Sequence, residues 1–298
     1  MKQLFKLIWE EKRYIYIYNF ARKWTSTFFA FGGIIALFVS FDDIFCAEWY
    51  HKLLFALFLL FAVFAICCFI GAVVVINTKE VKLFDVGNNH AVYVKYGDVF
   101  SEELISNNQY NHRNILVSVN RCFDTIVNDN LISRNTLHGA AIKKIIKDKP
   151  YKAKKLDMEI QKQLGSKHFI QLEQNEKPSG NLRRYDEGTV VEITAGNATY
   201  FLLGLTCFDE NLHPYISDKE YIQALMCGFE YSMERNQGNP LIFPLLGAGR
   251  AGTGKNEKDI LEFLVKFLQL HKSKINCDVY LVVRSSAKNS ISIFDLIR

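Results

Sequence analysis

A run of 24 residues without a charged side chain, Leu53 to Ile76, constrains the fold of this chain more than any other feature. A helix needs about 20 apolar residues to cross the hydrocarbon core of a bilayer. Leu, Ile, Phe and Val fill most of the run, and each favours insertion by roughly 0.3 to 0.6 kcal/mol at the membrane centre. The run therefore predicts a transmembrane helix at about 53–76.

A second uncharged run, Thr25 to Phe41, precedes the first, and a polar stretch from Asp42 to Lys52 separates the two. It is shorter and contains Gly32-Gly33, and a signal peptide is the alternative interpretation. No small-residue cleavage site follows it, so we interpret the two runs as a pair of transmembrane helices, about 25–41 and 53–76. Residues 1–24 then form a basic amphipathic segment.

Lysine and arginine residues flank the two predicted helices unequally. Six of them lie before the first helix, and Lys79 and Lys82 follow the second, whereas the connecting loop contains only Lys52. Because positive residues stay on the cytoplasmic side, both termini are predicted to be cytoplasmic.

The rest of the 298 residues is long enough for about one globular domain. The seven cysteines show no C-x-x-C pairing, which indicates reduced thiols and no metal site. The net charge of +5 owes much to the membrane-flanking segments and to a lysine-rich stretch at 143–155, so we expect no nucleic acid partner. That stretch is either a solvated helix face or a contact with anionic membrane lipid.

The stretch from Pro240 to Lys255 is an apolar, strand-like run that ends in a loop with four glycines: Gly247, Gly249, Gly252 and Gly254. A helical pattern, Glu257 to Leu270, follows directly. Glycine lets backbone N–H groups approach a ligand closely, and the start of a helix adds partial positive charge. The loop therefore predicts a phosphate site, with an ordinary strand-to-helix connection as the alternative.

Within this loop, Gly249 to Lys255 also satisfies the G-x-x-x-x-G-K pattern of nucleotide triphosphatases. That pattern requires Ser or Thr next, to hold Mg²⁺, and the residue here is Asn256. Only about one strand follows the loop, which is too little for a triphosphatase core. The match to that pattern is accidental on both grounds.

Two further segments combine a strand pattern with a polar ending. His90 to Tyr96 alternates in polarity and leads into Gly97-Asp98-Val99, while Asn114 to Asn120 is apolar and ends in asparagine. The plain alternative for Gly97-Asp98 is a turn that caps a short helix at 102–104.

Together these parts resemble a macro domain, the module that binds ADP-ribose, over roughly residues 85–298. Phe243 to Gly252 is similar to the loop that wraps the diphosphate and distal ribose, and Asp98 stands where that family's Asp accepts a hydrogen bond from adenine. The implied fold class is an α/β three-layer macro-domain-like fold, a mixed central sheet with helices on both faces, preceded by the two-helix transmembrane hairpin.

The resemblance also implies which residues bind ligand, and it implies no catalytic residue and no metal. Phe123 stands where members that hydrolyse ADP-ribosyl groups carry a second asparagine, which argues against hydrolase activity. The implied ligand-binding residues come from the ends of strands and the loops after them: Asp98, Val99, Asn120, Leu137, His138, Gly139, Leu246, Gly247, Ala248, Gly249, Arg250, Ala251, Gly252 and Ser285.

A membrane anchor ahead of such a domain resembles the membrane-bound macro effector of the Thoeris anti-phage defence system. The resemblance implies a multi-pass protein of the bacterial inner (cell) membrane that binds a nucleotide-derived signal, histidine–ADP-ribose. A partner protein with a TIR domain would make that signal. It also implies no enzymatic activity and no cofactor, homo-oligomers on activation, and membrane disruption through contact with lipid. The alternatives are a membrane-tethered ADP-ribosyl hydrolase, an ADP-ribose-binding scaffold, or a channel subunit.

Overall fold

The computed structural model describes residues 13–35, 49–78, 80–105, 110–149, 153–248, 253–287 and 290–296. The chain divides into two compact units. The first consists of Met1–Val81 and Lys288–Arg298, and the second of Lys82–Ala287. The second unit shares residues 85–287 with the predicted ligand-binding domain, 85–298, and residues 288–298 group with the helices of the first unit.

The first unit contains two long helices, α1 (Arg13–Ile35) and α2 (Trp49–Asn77). In the part of the chain that the structure describes, one segment is long and apolar enough to cross a membrane, Tyr50–Val75 in α2. This segment agrees with the span predicted at 53–76, on length and composition.

The predicted first span, 25–41, is not confirmed. Helix α1 begins at Arg13, well before that span, and it also contains Arg22 and Lys23. The described part of α1 is not apolar enough to count as a second candidate span, and residues 36–41 of the predicted span lie outside the described residues. The described residues therefore form a helix pair with one candidate span, and the predicted two-helix transmembrane hairpin is not confirmed.

Helix α1 packs along α2 through a stripe of buried residues spaced by four: Arg13, Ile17, Ala21 and Thr25. The helices come closest at Gly71, where an added Cβ would lie 3.0 Å from the Phe20 ring. At the end of the pair, Arg13 donates a hydrogen bond to the carbonyl of Val75 (3.3 Å). A guanidinium there complements the negative end of the α2 dipole.

A short turn near the C-terminus, Ile293–Leu296, completes this unit. Phe294 in the turn is buried, and its ring centre lies 5.5 Å from that of Tyr16. The guanidinium of Arg13 lies over the same ring, 5.3 Å from its centre. The unit is therefore assembled from segments far apart in the sequence.

The described residues from 80 to 287 alternate strands and helices. The strands are β1 (Glu80–Asp85), β2 (Ala91–Gly97), β3 (Arg113–Asn120), β4 (Phe169–Gln171), β5 (Arg183–Tyr185), β6 (Val190–Ala195), β7 (Ala198–Phe208), β8 (Pro214–Tyr215), β9 (Leu241–Pro244) and β10 (Val279–Arg284). The helices are α3 (Leu137–Asp148), α4 (Ala153–Leu164), α5 (Asp218–Arg235) and α6 (Glu257–Leu270). Single turns of 3-10 helix lie at Glu102–Leu104, Lys272–Lys274 and Ser285–Ala287.

The main sheet has the strand order β1-β2-β10-β9-β3-β7-β6. Strands β2, β10, β9, β3 and β7 are parallel neighbours along this path, whereas β6 is antiparallel to β7. The short strand β8 pairs with β7, and β4 and β5 form a separate two-stranded ribbon. The mixed sheet with helices agrees with the predicted α/β class.

Side chains along a strand point alternately to the two faces of a sheet. Apolar side chains lie on both faces of this sheet, and helices cover both. Ile115, Val117 and Val119 of β3 belong to one apolar cluster with Ile142 of α3 and Ile160 of α4. On the opposite face, α5 approaches β7 so closely that a Cβ on Gly228 would lie 2.8 Å from Leu203. The central strands are consequently buried on both faces, as in other parallel sheets.

Candidate functional site

The carboxyl ends of the parallel strands meet at one edge of the sheet and bring together residues that are distant in the sequence. Gly97 at the end of β2 pairs with Arg284 at the end of β10, and Val282 pairs with Pro244 at the end of β9. Asn120 ends β3, the next strand in order. In open α/β sheets, ligands bind outside this edge. Four of the five predicted ligand-binding segments therefore begin here, at Asp98, Asn120, Leu246 and Ser285.

Asp98 lies on the surface directly after β2. One carboxylate oxygen accepts a hydrogen bond from the backbone N–H of Phe100 (3.0 Å), which closes a local turn. The cap of the following 3-10 turn is Ser101, whose hydroxyl accepts from the N–H of Glu103 (3.3 Å). The turn that the sequence offered as an alternative is present, but Asp98 is not the cap, and its carboxylate stays exposed at the edge beside the buried Val99.

Ser285 occupies the equivalent place after β10. It begins the 3-10 turn Ser285–Ala287, and its side chain is exposed. Since β10 lies between β2 and β9, Ser285 stands between the Asp98 turn and the loop after β9.

The glycine loop after β9 is described up to Ala248 and again from Thr253, so Gly249, Arg250, Ala251 and Gly252 lie outside the described residues. The Tyr221 hydroxyl donates to the carbonyl of the buried Leu246 (2.8 Å), and the Thr253 hydroxyl donates to the carbonyl of Gly247 (2.6 Å). Gly247 has φ of 89°, and a Cβ there would lie 2.6 Å from the Tyr221 ring. Only glycine fits at position 247. The two hydrogen bonds, from Tyr221 and from Thr253, hold the two ends of the loop in place.

The start of helix α6, which follows the loop, is already supplied with negative charge. Asn256 caps it by accepting from the N–H of Asp259 (2.9 Å). Glu257 in the first turn pairs with Arg284 (2.6 Å). Carboxylates at this end compensate the helix dipole and would repel a phosphate. These carboxylates therefore offset part of the positive charge that the start of α6 would offer to a phosphate.

Asn120 at the end of β3 is almost completely buried. Its side-chain oxygen accepts hydrogen bonds from the N–H groups of Cys122 and Asp124 (both 3.2 Å). Its amide nitrogen donates to the Asp124 carboxylate (2.9 Å). These three hydrogen bonds of Asn120 hold the turn after β3 in its conformation.

A buried ion pair lies beside this turn. Lys177 and Asp124 are 0% and 1% exposed, and their charged groups are 3.0 Å apart. Burial raises the pKa of the Asp124 carboxyl, and the Lys177 ammonium opposes that rise. Sequence reasoning missed both residues, because a single lysine in a polar stretch carries no periodic signal.

His138 and Gly139 begin helix α3 and are also held inside the protein. The ring nitrogen Nε2 of His138 lies 3.0 Å from the carbonyl of Asp124, and burial lowers the pKa of this imidazole to about 4. Gly139 donates its N–H to the capping hydroxyl of Thr136 (3.1 Å), and a Cβ there would meet the carbonyl of Ser133 at 2.3 Å. Of the predicted residues in this segment, Leu137 alone is half-exposed.

Phe123 points into the core. Its backbone is left-handed (φ 51°), and its ring packs edge-on against Tyr185, with centroids 5.8 Å apart. An added Cβ on Gly204 would lie 3.2 Å from the same ring. The position that the resemblance assigns to a ribose-binding asparagine is filled here by a packing residue.

Comparison with known proteins connects this geometry to one family. Residues 92–284 match the family profile described as the macro domain of the Thoeris protein ThsA. A similar protein is "Thoeris protein ThsA" of Bacillus amyloliquefaciens (strain Y2), which is 26% identical over 193 residues. The aligned region covers 63% of this chain, and the chain spans only 59% of that protein's length.

Proposed function

Because this chain belongs to the family of Thoeris ThsA macro domains, we propose that it is an anti-phage defence effector that binds an ADP-ribose-derived signal. The observation that carries the proposal is the meeting of Asp98, Ser285, Gly247 and Asn120 at the carboxyl edge of one parallel sheet. This edge is where α/β sheets bind nucleotides.

The exposed Asp98 carboxylate supports adenine binding at the β2 end, since the local turn uses one of its oxygens and the other can accept a hydrogen bond from an amino group. The diphosphate then lies at the loop after β9, whose described ends are fixed by Tyr221 and Thr253. We assign the signal to an ADP-ribose conjugate, histidine–ADP-ribose, made by a TIR-domain partner.

The proposed activity is binding without turnover. Phe123 and His138, which flank the turn after β3, are buried in packing and hydrogen bonds. Phe123 has no polar group that could activate a water molecule for attack on a ribose, and the Nε2 of His138 is engaged with the Asp124 carbonyl. The alternative, a membrane-tethered ADP-ribosyl hydrolase, requires such a group, whereas an ADP-ribose-binding scaffold does not.

The membrane half of the proposal rests on helix α2, whose apolar segment Tyr50–Val75 is long enough to cross the bilayer. We propose that the uncharged run 25–41 crosses the membrane as well. The Lys and Arg before residue 25 and Lys79 and Lys82 after α2 then lie on the same side, which favours a cytoplasmic ligand-binding unit in the bacterial inner membrane. Gly32 and Gly33 of α1 have open space around them, because a Cβ added at either meets no atom within 4 Å. Small residues of this kind permit close helix contacts in lipid, so we assign them to contacts between copies when ligand-bound molecules assemble and disrupt the membrane.

Calorimetry on the full-length protein in detergent tests the binding. Wild-type protein should bind ADP-ribose and histidine–ADP-ribose, and Asp98→Ala should lose about tenfold to hundredfold in affinity, or roughly 1.5–3 kcal/mol. Asp85→Ala is the matched control, since this exposed carboxylate ends β1 and pairs only with the nearby Lys82 among the described residues (2.7 Å). Equal affinity in both variants would contradict the assignment, and release of cleaved products would favour the hydrolase.

A cellular measurement tests the effector half. Membrane potential is followed in cells that make the full chain and receive the signal. The proposal expects depolarisation with wild type and none with Asp98→Ala. Stable polarisation with a wild-type protein that binds ligand would favour the scaffold.

A further inference from the structure

The turn after β3 is held by a buried lysine whose hydrogen-bonding capacity is completely used. The Lys177 ammonium contacts the Asp124 carboxylate (3.0 Å) and donates to the carbonyls of Ser179 (2.6 Å) and Asn181 (2.8 Å). An ammonium has three N–H donors, and three acceptors surround it. Burial of two charges costs several kcal/mol per ion unless the geometry is this complete. Apolar residues would fill the same space at a lower cost in free energy. The buried pair therefore indicates a role besides packing.

The Asp124 carboxylate is just as fully engaged. One oxygen accepts from the backbone N–H of Asn181 (2.6 Å), and the other accepts from Lys177 and from the Asn120 amide (2.9 Å). Gly180 passes so close that a Cβ there would lie 2.3 Å from the carboxylate. The segment 177–181 therefore wraps around a carboxylate placed directly beside the end of β3.

This arrangement fixes the orientation of the Asn120 side chain. Its oxygen is committed to the two backbone N–H groups of Cys122 and Asp124, and its nitrogen faces an ionised carboxylate. A reversed amide would place oxygen against the carboxylate and nitrogen against N–H groups, so it is excluded. The amide nitrogen has two hydrogens, and the Asp124 carboxylate takes one. Among the hydrogen bonds of the described residues, the second has no acceptor.

We propose that Asp124 and Lys177 are positioning residues of the ligand site, which hold Asn120 as a hydrogen-bond donor to the end of the ligand farthest from Asp98. The inference rests on the proposed function, which places adenine at Asp98. Strands β2 and β3 are separated by β10 and β9. Three strand spacings correspond to about 14 Å. An extended nucleotide such as ADP-ribose spans that distance, whereas ADP stops at the diphosphate.

The two nucleotides therefore test the proposal. The variant is the double substitution Asp124→Asn with Lys177→Met, which removes both charges together and leaves no buried charge unpaired. With the full-length protein in detergent, its affinity for ADP-ribose should fall by about tenfold or more relative to wild type. Its affinity for ADP should change by less than about threefold, since ADP does not reach Asn120.

The matched control is the double substitution Lys149→Met with Glu159→Gln. It removes another lysine–carboxylate pair (3.0 Å) whose lysine ends helix α3. Since α3 begins at the site and runs away from it, this control should leave both affinities unchanged.

Each outcome separates the possibilities. Equal losses for ADP and ADP-ribose would mean that the pair only maintains the fold, and no loss for either would mean that it has no part in binding; both overturn the inference. A wild-type protein that binds neither nucleotide would instead overturn the proposed function.

A further substitution tests whether the ion pair affects ADP-ribose affinity through Asn120. In an Asn120→Ala background, replacing the ion pair should cause no further loss of ADP-ribose affinity. A further loss there would show that the pair acts on the ligand by another path, and the positioning role would be rejected.

Discussion

The two ends of the candidate site are built in opposite ways. At the β2 end, Asp98 is exposed and makes one hydrogen bond to its own turn. At the β3 end, Asn120, Asp124 and Lys177 are almost completely buried and bonded to one another. A group that stays in water until ligand arrives contributes to affinity, whereas a group bonded inside the fold contributes first to stability. Substitutions at the two ends should therefore separate affinity from stability.

The largest effect is expected where one partner of the buried pair is removed. Lys177→Met leaves the Asp124 carboxylate buried without its counter-charge, and the free energy of unfolding should fall by about 3–5 kcal/mol. Urea unfolding of the full-length protein in detergent measures this change. Lys149→Met breaks a half-exposed pair and should cost about 1 kcal/mol or less. Similar losses in the two variants would remove the distinction between the pairs.

Stability should also depend on pH through His138. Burial lowers its pKa from 6.5 to about 4. Between pH 6.5 and pH 4 the unfolded chain binds a proton at this histidine that the folded protein does not bind. The free energy of unfolding therefore decreases as the pH falls. His138 therefore contributes its full stabilisation above pH 6.5, and about 3 kcal/mol of it is lost by pH 4.

His138→Gln keeps a donor for the Asp124 carbonyl and removes the titration. The free energy of unfolding, measured at pH 7.5 and 4.5, should fall less in this variant than in wild type. An identical pH dependence in the two proteins would show that another group is responsible.

Gly139→Ala should destabilise the start of helix α3 by about 1–3 kcal/mol, because the new methyl group meets the Ser133 carbonyl at 2.3 Å. Alanine normally stabilises a helix relative to glycine, so the sign of the effect is informative. Gly87→Ala, where nothing lies within 4 Å of the added carbon, should be neutral or slightly stabilising. Thermal unfolding of both variants checks this, and an unchanged Tm in Gly139→Ala would show that the segment can shift.

The smallest effect on stability is expected at the β2 end. Asp98→Ala removes one local hydrogen bond on the surface and should change the free energy of unfolding by about 0.5 kcal/mol or less. The same variant is the one expected to lose most of its ligand affinity. A large loss of stability in Asp98→Ala would mean that the two ends do not differ as described.

The regular elements of the second unit were predictable from short-range signals. The helix predicted at Glu257 to Leu270 coincides with α6. Apolar periodicity identifies this helix, and the capping residue Asn256 defines where it begins. The strands that end in Asn120 and Gly97 followed in the same way from their apolar patterns.

Helix α1 shows where such signals mislead. Its charges, Arg13, Arg22 and Lys23, lie before residue 25, so the sequence predicts a basic segment, 1–24, and a separate uncharged span, 25–41. The buried stripe Arg13, Ile17, Ala21 and Thr25 instead makes one helix that packs on α2 and crosses that boundary. A charge is compatible with this stripe because Arg13 finds a carbonyl acceptor on α2.

The network around Asp124 was beyond prediction for a different reason. Asp124 and Lys177 are far apart in the sequence, and an ion pair between loops follows no repeat. The prediction that Asn120 ends a strand is confirmed, but the bonding of its side chain to Asp124 depends on how segment 177–181 folds back. Tertiary contacts of this kind decide whether a polar residue faces ligand or interior.

The contact between Phe294 and the first helix has a consequence for how the protein is made. Helices α1 and α2 are synthesised early, but Tyr16 and Arg13 meet Phe294 only after the entire second unit has been translated. At 5–20 residues per second, the ribosome needs roughly 10 to 45 s to pass from Asn77 to Phe294. During that interval the helix pair lacks one of its packing partners, so the first unit reaches its final form only after the second unit has been synthesised.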